Sequence, residues 1–271
     1  MTLLHDAELT AAFDRGADSY DRLVALNPGY HAHLRRSARR LALPDGGTGR
    51  RVLDLGCGTG ASTAALAAAF PHAEIVGADA SAAMLARARS RRGLERVRFV
   101  HATAENLVAR ASHGPFDAVF AAYLFRNVAG PDALLRGVHD LLVPDGRLVA
   151  HEYALGGRRT DRAVWSAVCR GVVVPLGTVT GDRVLYRHLW RSVLEFDTAP
   201  EFAARMRRAG FDGVRVLPLP GWQAGVAYTF AGRRHPVTAD RDLVAADGRR
   251  TTADDRRVTA DDGPITADGH R

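Results

Sequence analysis

Between Arg50 and Gly232 short apolar runs alternate with longer segments of helical character, and this alternation limits the possible folds more than any other feature of the chain. RRVLDL, AEIVGAD, VRFVHA, FDAVFAA and GRLVAHEY read as strands. GASTAALAAAF, SAAMLARARSRR and PDALLRGVHDLL read as helices, and a short segment from Ala104 follows the third strand. Such alternation predicts an open, doubly wound parallel sheet covered on both faces. PEFAARMRRAG is a further helix ending at a glycine, after which GVRVLPL and GVAYTFAG follow each other without a helix. That pair predicts a closing antiparallel hairpin at the sheet edge. A helical N-terminal cap at about 7–43 precedes the sheet, and a partly helical insertion lies at 156–196.

From Val237 the chain changes character and reads VTADRDL, VAADGRR, TTADDRR, VTADDGP and ITADGHR, five units of seven residues. Most units offer one β-branched residue plus alanines, too little apolar surface to offset chain entropy. The reading is therefore one domain over 1–236 and a disordered repeat tail over 237–271. Of the 271 residues 46% are hydrophobic, enough for a substantial core, and no run of about 18 apolar residues or leader pattern appears. A cytoplasmic protein is expected, peripheral at most to the inner face of the membrane. Cys57 and Cys169 lack zinc-site spacing and are expected as free thiols, and no metal is expected. The net charge of +7 comes from arginine alone, since the chain has no lysine. That bias follows a GC-rich coding sequence as readily as an anionic partner.

In a doubly wound sheet the ligand crevice lies at the carboxyl ends of the strands, so the strand ends carry the functional information. The first is VLDLGCGTG, where Gly56, Gly58 and Gly60 allow a sharp turn and close approach of a ligand. Asp54 precedes them, and a carboxylate there repels a pyrophosphate and suits an ammonium group. The second strand ends at Asp79, followed by Ala80. An acid at this place accepts hydrogen bonds from ribose hydroxyls, with a helix cap as its plainer role. The third ends in HATAENL, where Thr103 and Ala104 offer a hydroxyl and an N–H to a base edge.

VLDLGCGTG, Asp79 and the TAEN segment together resemble class I S-adenosylmethionine-dependent methyltransferases. The resemblance implies an α/β, doubly wound, mostly parallel seven-stranded Rossmann-like sheet with an antiparallel last strand. It also implies S-adenosylmethionine as cofactor, its methionine part held by Asp54 and the 56–60 loop, its ribose by Asp79, and its adenine by Thr103 and Ala104. FRNVAGPDALLRGVHDLLVPDGRLVAHEY is similar to the ubiquinone/menaquinone biosynthesis C-methyltransferases, which typically carry an Arg-Asn pair after the fourth strand. FDRGADSYDRL, LYRHLWRSVLEF and EFAARMRRAGF fit the same family. NPGYHAHLRR and the stretch around 161–185 depart from it, and these segments should shape the acceptor pocket.

Arg126 and Asn127 are accordingly expected to face a quinol-type aromatic acceptor. Carbon methylation needs an electron-rich ring, and Arg126 would stabilise its phenolate while Asn127 fixes its orientation. A structural ion pair is the plainer role for Arg126. His151, ending the fifth strand, is a candidate proton acceptor at the crevice edge, or else a satisfied structural histidine. Tyr186 and His188 in the insertion would cover the acceptor, and Tyr20 in the cap would cover the cofactor. Arg35, Arg36, Arg39 and Arg40 form either a solvated helix face or a contact with an anionic membrane. The competing acceptor is a soluble aromatic or polyketide methylated on carbon or oxygen. A non-catalytic cofactor-binding protein is the alternative of another class. Nucleic acid is disfavoured, because the fourth strand does not end in the Asn/Asp-Pro-Pro-aromatic clamp of many base methylators.

Overall fold

The structure, a computed structural model, describes residues 8–15, 27, 29–110, 114–175 and 183–235. All of these belong to the compact unit Met1–His235. The 237–271 repeats and Tyr20 lie outside the described residues, so the tail and that cap contact are not addressed by it.

Seven strands form one sheet, β1 (Arg51–Leu55), β2 (Glu74–Asp79), β3 (Arg98–His101), β4 (Phe116–Ala122), β5 (Leu142–Tyr153), β6 (Phe211–Pro218) and β7 (Ala227–Arg234), in the order β3-β2-β1-β4-β5-β7-β6. The pairs among β1 to β5 are parallel, and β7 runs antiparallel to both β5 and β6. The expected closing hairpin is present with one difference: its last strand is inserted between β5 and β6, so β6 forms the edge. β7 takes that place by pairing with β5 from Arg147↔Arg233 to Tyr153↔Ala227.

The apolar strands read as continuous because both faces are covered. Leu53 and Leu55 face one core with α5 (Pro131–Leu141) and α8 (Ala199–Arg208), whereas Val52 faces the other with α1 (Tyr30–Ala38) and α2 (Ala61–Ala69). Local signals start the helices where expected. Ser81 Oγ accepts the Met84 N–H to cap α3 (Ala82–Ser90), Pro131 opens α5, and Thr198 with Glu201 forms a capping box on α8. α4 (Ala104–Arg110) follows β3. The insertion consists of α6 (Arg159–Val168), a π-helical turn at Cys169–Val173 and α7 (Arg183–Glu195). It builds a small core of its own from Trp165, Cys169 and Val193 against Tyr153, Val226 and Ala227, which roofs the ends of β5 and β7. Both cysteines are free and buried. Among the described residues no helix is long and apolar enough to cross a membrane.

The chain leaves β1 toward β2 and β3, then returns to β4 on the other side of β1. The crevice opened by that reversal is where a ligand site is expected.

Candidate active site

A cleft of about 1140 Å³ opens at this point, running from the 56–60 loop past the ends of β2, β3, β4 and β5 to the insertion. Gly56, Gly58 and Gly60 all adopt left-handed backbone, with φ of 75°, 53° and 82°. Two of them do so for different reasons. A Cβ on Gly56 would press on Leu124 at 3.0 Å, whereas one on Gly58 would meet nothing within 4 Å and would intrude into open space along the cleft.

Asp54 is fully buried beneath this loop. Its Oδ2 accepts hydrogen bonds from Ser62 Oγ at 2.8 Å and Thr63 Oγ1 at 2.6 Å, and its Oδ1 has no partner among the described residues. Burial pushes its carboxyl up to about 7, and nearby Asp79 adds to the rise. Asp79 lines the cleft, its Oδ2 accepting the Gly58 N–H at 2.8 Å and its Oδ1 the Ser81 N–H at 2.9 Å. Burial raises its carboxyl too, those two N–H groups oppose the rise, and Asp14 adds to it. Two carboxylates thus lie at this end, Asp79 on the cleft itself and Asp54 buried behind the loop, off the cleft wall. Ala80, Thr103 and Ala104 line the same half. Thr103 Oγ1 also accepts the Asn106 N–H at 3.2 Å, capping α4.

In the other half, Arg126 and Asn127 form a short 3₁₀ turn after β4 and line the cleft. Arg126 Nη1 donates to Glu152 Oε1 at 2.5 Å and to the Tyr123 carbonyl at 3.0 Å. Both partners of this ion pair are buried, with 8% and 1% of their side chains exposed. Burial raises the Glu152 carboxyl and the Arg126 charge opposes that rise. Asn127 Nδ2 donates to the Tyr123 carbonyl at 2.9 Å, and its Oδ1 lies 3.1 Å from His188 Nε2 on α7. The insertion thus reaches the Arg-Asn turn, and Tyr186 and His188 both line the cleft.

His151 requires a correction. It is fully buried, does not line the cleft, and both ring nitrogens are engaged, Nδ1 with Ser37 Oγ and Nε2 with Tyr123 Oη, each at 2.9 Å. Burial first, then His33 and Arg40, hold it down to about 3. A histidine at the crevice edge was expected. The helix α1 covers that face of β5 instead and removes His151 from any substrate.

Three groups of residues were not foreseen. Asp14, in the helical stretch 8–15, accepts from Ser81 Oγ at 2.5 Å and lines the cleft, as do Leu9 and Phe13. Tyr30, Tyr123, Tyr153 and Trp165 form an aromatic wall. Within it Tyr30 and Tyr123 stack at 5.8 Å, Tyr123 and Tyr153 lie 4.8 Å apart, and Tyr153 and Trp165 5.3 Å apart. Glu152 is the buried partner of Arg126, and its signal was present in the sequence: an acid inside an apolar strand demands a counter-charge.

Comparison with known proteins places the chain in a family. A methyltransferase domain family matches residues 52–146. The ubiquinone/menaquinone biosynthesis C-methyltransferase of Syntrophotalea carbinolica is 34% identical over 227 residues, covering 82% of this chain and 92% of that protein. A demethylmenaquinone methyltransferase of Thermus thermophilus is 38% identical over 204 residues, covering 73% of this chain and 90% of that one. Among solved structures, a methyltransferase from Thermotoga maritima, described as a possible histamine N-methyltransferase, is similar in fold, with a TM-score of 0.58 at 19% identity over 83% of this chain and 98% of that one. The chain is an S-adenosylmethionine-dependent methyltransferase and belongs to the ubiquinone/menaquinone biosynthesis C-methyltransferase family.

Proposed function

We propose that this enzyme methylates a ring carbon of a quinol-type aromatic. One observation carries the reading: the Arg126–Asn127 turn faces a cleft walled by Tyr30, Tyr123, Tyr153 and Trp165, continuous with the acidic cofactor end. The names of the curated relatives point the same way.

S-adenosylmethionine, when bound, supplies an electrophilic methyl group on a sulfonium. Its amino-acid end belongs to the 56–60 loop and Asp54, whose partnerless buried oxygen suits an ammonium. Asp79 takes the ribose, and Ala80, Thr103 and Ala104 take the adenine. On the acceptor side Arg126 stabilises charge developing on a ring oxygen, where a low-dielectric wall strengthens the interaction. Glu152 holds the guanidinium in place for that purpose. Asn127 orients the ring, and Tyr186 and His188 of the 156–196 insertion close over it and exclude water. The exposed Arg35 and Arg36 on α1 and Arg39 in the turn after it suit contact with an anionic bilayer that stores an apolar acceptor.

The test is methyl-labelled S-adenosylmethionine with a reduced cell extract, separated into lipid, soluble and nucleic-acid fractions. Label on a quinone in the lipid fraction is the expected outcome. Label confined to soluble aromatics would replace the acceptor, and cofactor binding without transfer to any fraction would replace the catalytic reading.

A further inference from the structure

Tyr123 is the residue immediately after β4, and its φ of 58° puts a bulky side chain in the left-handed region. A non-glycine residue stays there only when its surroundings over-determine it, and such outliers gather at ligand sites. Three backbone contacts hold it. Its N–H donates to the His151 carbonyl at 2.7 Å, and its carbonyl receives both Arg126 Nη1 and Asn127 Nδ2. The same turn lays its ring against Tyr30 and along the cleft.

Behind its phenol runs a row of polar side chains that reaches no solvent. Tyr123 Oη meets His151 Nε2, His151 Nδ1 meets Ser37 Oγ, and Ser37 Oγ lies 2.6 Å from Thr229 Oγ1. His151, Ser37 and Thr229 come from β5, α1 and β7, and each is 0% exposed. Polar groups in such a place cost more than aliphatic ones unless every member is satisfied, so a row of this kind specifies one geometry. Tyr123 is the member of this row that lines the cleft. Beside it, Asn27 Nδ2 and Gln223 Nε2 donate to Tyr153 Oη at 3.1 and 3.4 Å.

We propose that Tyr123 is an acceptor-binding residue of this enzyme, its phenol hydrogen-bonding a ring oxygen of the acceptor, and that His151 is the positioning residue that fixes the phenol. The inference rests on the aromatic-acceptor reading above and adds a second oxygen-recognising group beside Arg126. It also gives the buried His151–Ser37–Thr229 row a purpose other than proton transfer.

The experiment compares two acceptors, a 1,4-naphthohydroquinone and its mono-methyl ether, by kcat/KM. A site that hydrogen-bonds a hydroxyl rejects the analogue lacking it. The wild type should favour the free hydroquinone. Tyr123→Phe keeps the ring stack and should lower kcat/KM for the hydroquinone about 10–100-fold while sparing the ether, so that discrimination collapses with cofactor Kd unchanged. His151→Leu retains the phenol and should raise KM more than it lowers kcat. Tyr123→Phe with intact discrimination would overturn the inference alone. A wild type that methylates neither compound would overturn the acceptor reading and this inference together. If Tyr123→Phe fails to fold, His151→Leu decides, and unchanged kinetic constants there would overturn the inference.

Discussion

The two halves of the cleft are built by different means. The cofactor half uses backbone amides, glycines and carboxylates that follow one another closely in the chain: Asp54, Gly58, Asp79, Ser81 and Thr103 lie at or just beyond the ends of β1, β2 and β3. The acceptor half is assembled from Tyr30 on α1, the Arg126–Asn127 turn, Glu152 on β5 and Tyr186 and His188 on α7, elements far apart in sequence. In the first half two carboxyls, Asp54 and Asp79, are buried without a cationic side chain among their partners. In the second a buried ion pair is already balanced, and the wall is apolar. The contrast teaches that the end proposed for the cofactor relies on local loop geometry, whereas the end proposed for the acceptor is a packed surface whose residues support one another.

The sharpest way to break this contrast is Glu152→Ala. It leaves the Arg126 charge buried and unpaired, a loss of roughly 3–5 kcal/mol. Chemical denaturation should show it, with cofactor affinity preserved in whatever fraction stays folded. An unaffected midpoint would mean the pair is not buried.

Asp79→Ala comes next. Each charge-assisted hydrogen bond lost to the cofactor is worth about 1.5–3 kcal/mol, so calorimetry should record a fall in affinity of at least tenfold, while the acceptor half keeps its stability. Unchanged affinity would remove Asp79 from the ribose.

Arg126→Ala should spare cofactor Kd and lower turnover by about 10²-fold. Its stability should also become more strongly pH-dependent, in a stated direction. With the Arg126 side chain gone, burial raises the Glu152 carboxyl further above the ordinary 4.5, opposed only by the backbone N–H groups of Tyr153 and residue 126. The folded state then binds more protons than the unfolded state, so the variant is most stable in acid and weakens as pH rises beyond that value. A flat pH profile would place solvent at Glu152.

The smallest effect sharpens the cofactor side. Burial pushes the Asp54 carboxyl up to about 7, and a cationic ligand beside it would favour its charged form. Cofactor affinity should therefore rise with pH up to that point, by at most about tenfold per pH unit below it. Asp54→Asn should bind weakly and lose the slope, and a slope retained in that variant would assign the titration to another group.

The geometry of the half proposed for the cofactor was legible in the sequence because its determinants are short-range. Left-handed turns select glycine at 56, 58 and 60, and the end of a strand fixes where Asp79 emerges. His151 misled for the opposite reason. On a strand, alternation assigns a residue to one face or the other but does not say what covers that face. His151 sits opposite Thr229 in the β5–β7 register, and Ser37 on α1 closes over it. The Arg-Asn pair after the fourth strand was legible and an ion pair was one of the two roles read for Arg126, whereas its pairing with Glu152 depends on the ends of β4 and β5 lying side by side.

By itself the sequence determined the strand–helix order, the glycine turn, the acids at the ends of β1 and β2 and the Arg-Asn pair, since backbone preference and apolar periodicity act over a few residues. Only the tertiary structure decided that β7 slips between β5 and β6, that Glu152 neutralises Arg126, that α1 buries His151, and that α7 brings His188 to Asn127. Those are contacts through space between segments tens of residues apart, set by packing and by the need to satisfy buried charge.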